Sequence, residues 1–263
     1  MHSQYQSIKV EFSNNQATIT LNRPEVKNAI NASMAKELKQ AFDRLSDDEN
    51  VKVIILTGAG NAFCSGQDLN EFQNFNEISL AEVLQDRYNP LIMSMHHNPK
   101  IIIGKINGVA AGAGLSLALG CDFTIASESA TFAMSFSNIG LVPDCGASYF
   151  LPRLVGRAKA FEICTLGYTF SAKDALNISM INMVVEHENM LDKKVNELAV
   201  RYANGPTKTL GMIKQLLNRS FGHSVDKMLE KEASYQDKAG KTADFKEGIT
   251  AFREKRRPVF TGK

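Results

Sequence analysis

Asp144 is the side chain in this sequence best placed to do chemistry. It stands alone in Gly140-Leu141-Val142-Pro143-Asp144-Cys145-Gly146, with Val, Pro, Cys and Gly around it. A carboxylate in apolar surroundings loses hydration and holds its proton more tightly, which suits a general base. An aspartate here can also cap the helix predicted over residues 147–154, and the residues alone leave both roles open. Two loops of small residues supply a second ingredient: Ala62-Phe63-Cys64-Ser65-Gly66-Gln67-Asp68-Leu69 and Gly112-Ala113-Gly114. Each follows a predicted strand and precedes a predicted helix, so each offers backbone N–H groups where negative charge is favoured. Two such groups aimed at one carbonyl oxygen form an oxyanion hole. Close packing of strand against helix asks for the same small residues, and that reading also stays open.

Other chemistries find little support. A dinucleotide fingerprint begun at Gly112 meets Leu117 where a small residue belongs, and no acidic residue ends a strand about 20 positions on. No Gly-Lys-Ser/Thr occurs for a P-loop. Ser65 lies outside any Gly-x-Ser-x-Gly elbow, and Ser116 sits between Leu115 and Leu117 as a packed residue. The histidines are scattered, the adjacent His96 and His97 point apart on a helix, and no metal-ligand spacing is present.

These loops need strands and helices to position them. Ile8–Phe12 and Ala17–Leu21 alternate as a hairpin about Ser13-Asn14-Asn15. Met34, Leu38, Ala41, Phe42 and Leu45 recur at helical spacing, with Asn31 or Ser33 as the cap. Val51–Leu56, Ile101–Ile103 and Asp122–Ala126 are apolar runs of the buried parallel kind. Residues 61–78 read as a loop, and a helix is predicted over 80–97. From about residue 157 the chain reads as helical throughout, with Pro206 at a helix start. The fold class is therefore α/β with right-handed crossovers. Residues 1–199 form the core, and residues 200–263 form a helical appendage with apolar faces at Leu210, Ile213, Leu217 and at Phe245, Ile249, Phe252.

Composition bounds the partners. A net charge of +2 over 263 residues argues against nucleic acid, and the basic Arg253, Lys255, Arg256 and Arg257 read as a solvated face. Cys64, Cys121, Cys145 and Cys164 form no C-x-x-C pair and read as reduced thiols. No leader-like apolar run, membrane-length segment or peroxisomal signal is evident, so a soluble cytoplasmic protein is expected.

Taken in order, the motifs resemble the crotonase (enoyl-CoA hydratase/isomerase) superfamily over essentially the whole chain. Leu21–Ala29 is similar to its acyl-CoA-binding turn, Ala62–Leu69 to its first oxyanion loop and Ile106–Gly114 to its second. Gly140–Pro143 and Leu151–Gly156 complete the pattern. The resemblance implies a ββα spiral core and a C-terminal helical trimerisation region. It implies an oxyanion hole from the N–H groups of Gln67 and Ala113, with Asp144 as the catalytic acid/base. It places Val26, Ala29, Ser65, Asp68, Leu69, Gly112, Phe136, Phe260 and Lys263 against substrate or CoA, the last two through a nucleotide on the same or a neighbouring subunit. Hydratases of the superfamily use two glutamates, where this chain has Ser116 and Phe136. Isomerases carry one acid after the Gly-Leu-x-Pro turn, here Asp144. A nearer likeness is to the ring-1,2-epoxyphenylacetyl-CoA isomerases of phenylacetate breakdown, through Gly66–Asn70, Asn107–Gly114, Gly140–Gly146 and the tail from Tyr235 to Lys263. This chain departs from them at Ala147-Ser148-Tyr149, which leaves the acyl group undetermined. The implied activity is isomerisation of 3-enoyl-CoA to 2-enoyl-CoA, of a ring epoxide to an oxepin, or both. The implied assembly is a homotrimer or a dimer of trimers, with no metal and no cofactor beyond the CoA of the substrate. The alternatives are enoyl-CoA hydration or another acyl-CoA reaction on the same scaffold, and a non-catalytic acyl-CoA-binding module.

Overall fold

The computed structural model describes residues 5–71, 79–186 and 188–263. Its hairpin pairs β1 (Ile8–Ser13) with β2 (Gln16–Leu21). The turn residues Asn14 and Asn15 both take positive φ, as a two-residue hairpin loop demands and asparagine tolerates. In α1 (Ala32–Asp47) the Asn31 side chain, not Ser33, accepts the Met34 N–H as the cap at 2.9 Å. The helix buries Met34, Leu38, Phe42 and Leu45.

The core is a spiral of strand pairs. Each of β3 (Val53–Gly58), β5 (Ile101–Ile106) and β7 (Phe123–Ser127) lies in a larger sheet. Each is followed after a short turn by β4 (Ala62–Cys64), β6 (Val109–Ala111) or β8 (Thr131–Ala133) in a smaller one. The larger sheet runs β1-β2-β3-β5-β7-β10, with β10 at Met183–Val185; the smaller runs β4-β6-β8-β9, with β9 at Thr169–Ser171. The central strands are parallel.

Every residue of β3 is buried because both sheet faces are covered. Ile54 and Leu56 face the main core; Val53 and Ile55 face a second cluster with Ile103, Ile125, Leu191, Val195 and Ala199. The last three belong to α7 (Glu188–Ala203).

The segment predicted as one helix over 80–97 is α2 (Leu80–Val83), a π-turn at Leu84–Tyr88 and α3 (Asn89–His97). Then come α4 (Ala113–Leu119), α5 (Ala147–Leu166, broken at Gly156) and α6 (Ala172–Asn177). The appendage consists of α8 (Thr207–Ser220), α9 (Val225–Gly240) and α10 (Ala243–Arg253). Two expectations need correction. β9 and β10 interrupt the region read as wholly helical, and β4 lies in the stretch read as loop, of which residues 72–78 fall outside the described residues. Strands of three residues are too short to show alternation. The boundary drawn at 199/200 falls inside α7, and the chain leaves that helix at Asn204-Gly205-Pro206. No helix among the described residues is long and apolar enough to cross a membrane.

Candidate active site

The strand pairs deliver both small-residue loops to one place. The first loop follows β4 and is zipped to the turn 26–30. Ser65 N–H donates to Lys27 O (3.0 Å), Ile30 N–H to Gly66 O (2.7 Å) and Asp68 N–H to Ile30 O (2.9 Å). Side chains repeat the stitch: Ser65 Oγ donates to Val26 O at 3.2 Å, and Arg23 bridges Ala29 O at 2.7 Å and Asp68 at 2.8 Å. The buried Asn28 amide donates to Ala59 O and Ala62 O, and Asn107 donates to Gly58 O and Gly60 O, which fixes both loop approaches. Among the predicted contact residues, Ser65, Asp68, Val26 and Ala29 thus join the turn to the loop, and Leu69 stands exposed.

The second loop presses on the first. A methyl group added at Gly66, whose φ is +104°, would stand 3.0 Å from Ala111 O and 3.6 Å from Ala113 N. One at Gly114 would strike Cys64 O at 2.3 Å, so only glycine permits this approach. Neither the Gln67 nor the Ala113 N–H donates to a backbone carbonyl among the described residues. Two free amides therefore lie on adjoining loops at the C-terminal ends of β4 and β6.

The Asp144 loop closes the third side. Ser116, fully buried, donates to Gly112 O (3.2 Å) and to the Asp144 carbonyl (3.1 Å), tying that loop to the second amide loop. Asp144 caps nothing: the N-cap of α5 is Gly146, in the left-handed conformation and without a side-chain bond. Its Oδ1 is buried and has no hydrogen-bond partner among the described residues. Burial raises the Asp144 pKa, and a hydrogen bond from the Cys145 thiol opposes that rise. Burial likewise pushes the neighbouring thiols up, Cys64 to about 12, so they stay neutral. Phe136 is buried, and its ring stands 3.9 Å from where a Gly112 methyl would be.

Tyr149 packs elsewhere, donating to Asn218 O at 2.9 Å beneath the Arg153 guanidinium and lining a cavity of about 440 Å³ between α5 and α8. Phe260 packs near Gly248, and the Lys263 carbonyl accepts the Ala243 N–H at 2.8 Å. That tail lies against Thr207 and Lys52, before β3, whereas the amide loops follow the far ends of β3 and β5. A six-residue strand separates them by roughly 20 Å. Within one chain Phe260 and Lys263 do not join Asp144. Among the described residues no cluster of three or more His, Cys, Asp or Glu could hold a metal.

Residues 11–263 match the family model described as enoyl-CoA hydratase/isomerase. This chain belongs to that family. The family member's relatives include the Escherichia coli (strain K12) 1,2-epoxyphenylacetyl-CoA isomerase, 44% identical over 94% of this chain and 95% of the relative. A Rhodobacter capsulatus protein named "Probable enoyl-CoA hydratase" is 38% identical over 98% and 99%. Among solved structures, a Bacillus anthracis enoyl-CoA hydratase superposes with a TM-score of 0.90 at 31% identity, covering 98% of this chain and 100% of that one. The fold is the crotonase fold, and the chain is an enzyme of the acyl-CoA hydratase/isomerase kind. Sequence reasoning missed Tyr88, whose buried phenol donates to the Gln67 side chain. Only an aromatic on the predicted helix signalled it, and nothing in the spacing set it apart from core.

Proposed function

We propose that this enzyme is an acyl-CoA isomerase. It moves a 3-enoyl double bond to the 2-position, or turns ring-1,2-epoxyphenylacetyl-CoA into its oxepin, through an enolate. The observation that carries the reading is the buried, unpartnered Oδ1 of Asp144 beside two free amides, with Ser116 and Phe136 where a hydratase would hold acids. The thioester carbonyl accepts the N–H groups of Gln67 and Ala113. Asp144 takes a proton from C2, the electron pair moves onto the carbonyl oxygen, and Asp144 returns the proton to C4, leaving the C2–C3 bond double. One oxyanion donor is worth about 2.7–4 kcal/mol, and a positioned base about 10²–10⁴-fold in rate. In a ring epoxide the same enolate stabilisation assists opening. CoA arrives with the substrate, and the residues use no further cofactor. The 44% identity to the isomerase named above supports this reading.

The tail's distance from its own chain's amides supports a neighbouring subunit as the one that offers Phe260 and Lys263 to the CoA nucleotide. The assembly would be a trimer or a dimer of trimers built on residues 200–263. The cytoplasm is the proposed compartment.

Incubation with 3-hexenoyl-CoA tests the reaction by the absorbance of the conjugated product. No turnover with this substrate or with the ring epoxide would overturn it. Hydration is the second reading, favoured by the Rhodobacter relative's name. Water addition to crotonyl-CoA faster than isomerisation would decide for it.

A further inference from the structure

Tyr88 lies outside the three loops and is only 3% exposed. A buried phenol needs a hydrogen-bond partner, and Tyr88 finds one in the side-chain oxygen of Gln67, the residue whose own N–H donates to no backbone carbonyl among the described residues. The other end of that amide is held as well. Gln67 Nε2 donates to Asp68 O and to Glu71 Oε2, both at 3.2 Å. Glu71 in turn accepts the Ala32 N–H at 3.0 Å and Arg87 at 3.2 Å. The Gln67 side chain is therefore clamped between α1's first residue and the phenol.

The backbone departs from regularity to place this phenol. In the π-turn the Asn89 N–H donates to Leu84 O, five residues back, inserting one residue into the helical run. The inserted residue turns Tyr88 and α3 by about 100° relative to α2, and Tyr88 keeps ordinary helical spacing with Leu91, Ile92 and Met95 on the buried face. Ordinary core packing asks for neither a hydroxyl nor an inserted residue. The base is close too. Burial first, and then the charge of Asp144, raise the Tyr88 pKa, so the phenol remains a donor at neutral pH.

We infer that Tyr88 is a positioning residue for the reaction proposed above: by holding the Gln67 side chain it sets the direction of the Gln67 backbone N–H toward the substrate carbonyl. The inference rests on that reading of the site. It acts through Gln67, so its effect belongs to the enolate and not to the neutral thioester.

Acetoacetyl-CoA tests it, because its bound enolate absorbs in the near ultraviolet, whereas butanoyl-CoA forms none. Tyr88→Phe is expected to weaken enolate binding about five- to tenfold and to leave butanoyl-CoA affinity within about twofold. Gln67→Met keeps the backbone amide and removes the acceptor. It should show the same loss, and the double variant no further loss. Losses that fall equally on both ligands, that multiply in the double variant, or that do not appear at all overturn the inference. If Tyr88→Phe fails to fold, Gln67→Met alone decides by the same contrast between ligands. A wild-type chain without an enolate signal overturns the reading of the site, and the inference with it.

Discussion

At the Asp144 end of the core, loops meet at distances only glycine allows, and buried side chains such as Asn28 and Ser116 have partners. In α8–α10 the same kinds of apolar residue face outward: Leu217 is 66% exposed, Phe221 70% and Phe252 83%. The first region is packed within one chain, and among its described polar groups Asp144 Oδ1 and the Gln67 and Ala113 amides are left without protein partners. The second leaves apolar faces that helices normally bury. Chemistry requires the first kind of construction, since an unpaired acid keeps its reactivity only where neighbours cannot relax around it. Assembly requires the second.

The largest expected effect lies on the Asp144 carboxylate. Asp144→Asn should lower turnover roughly 10²-fold or more with folding intact. Its pH behaviour sharpens the point. The folded chain holds the Asp144 proton above the ordinary value of 3.8 because of burial. As pH rises from that value through the raised pKa, the unfolded chain sheds the proton first, so stability falls across the window. Asparagine carries no charge, so thermal melts should show the variant at least as stable as wild type at neutral pH, an advantage that disappears in acid. If Asp144 acts as the base, wild-type turnover should fall toward acid with a midpoint above 3.8, because the working form is deprotonated. A variant that unfolds yet keeps activity per folded molecule would show Asp144 to be structural.

Next comes assembly. Phe252→Asp should lower the mass in solution, measured by sedimentation, from that of three or six chains toward that of one, while isomerisation chemistry at each site persists in part. A wild-type chain that sediments as a monomer at micromolar concentration would remove the contrast between the regions.

Two alanine substitutions compare them directly. Gly114→Ala should destabilise by about 1–3 kcal/mol and lower activity, because its methyl meets Cys64 O at 2.3 Å. Gly240→Ala, at the end of α9 with nothing within 4 Å, should be neutral or stabilise by up to about 1 kcal/mol. Chemical denaturation of both variants measures the difference, and equal effects would mean that glycine is not what sets the loop approach. A smaller effect than that of Gly114→Ala belongs to Ser116→Ala, about 1 kcal/mol of stability and a few-fold in turnover. A loss approaching that of Asp144→Asn would give Ser116 a direct part in the chemistry.

Much of the fold was legible because burial writes itself into period. Val53–Gly58 is covered on both faces and reads as an unbroken apolar run, whereas α1 is covered on one and repeats at helical spacing. The strands of three residues were not legible, since β4, β6 and β8 carry too few residues for any period and owe their pairing to the longer strands beside them. The π-turn was equally silent, because one inserted residue leaves the apolar pattern of 80–97 nearly unchanged.

The sequence by itself determined the chemical types: a lone aspartate in an apolar turn, glycines where loops must approach, and no acid at Ser116 or Phe136. Tertiary structure alone decided which of these meet. Asp144 serves as no helix cap because Gly146 takes that place, and the packing of its loop leaves Oδ1 of its carboxylate buried without a partner among the described residues. The Gln67 and Ala113 amides adjoin because strands about 45 residues apart in sequence lie side by side in one sheet. Free backbone donors look alike in every sequence. Only the long-range pairing that leaves them without partners brings two of them together as a candidate site.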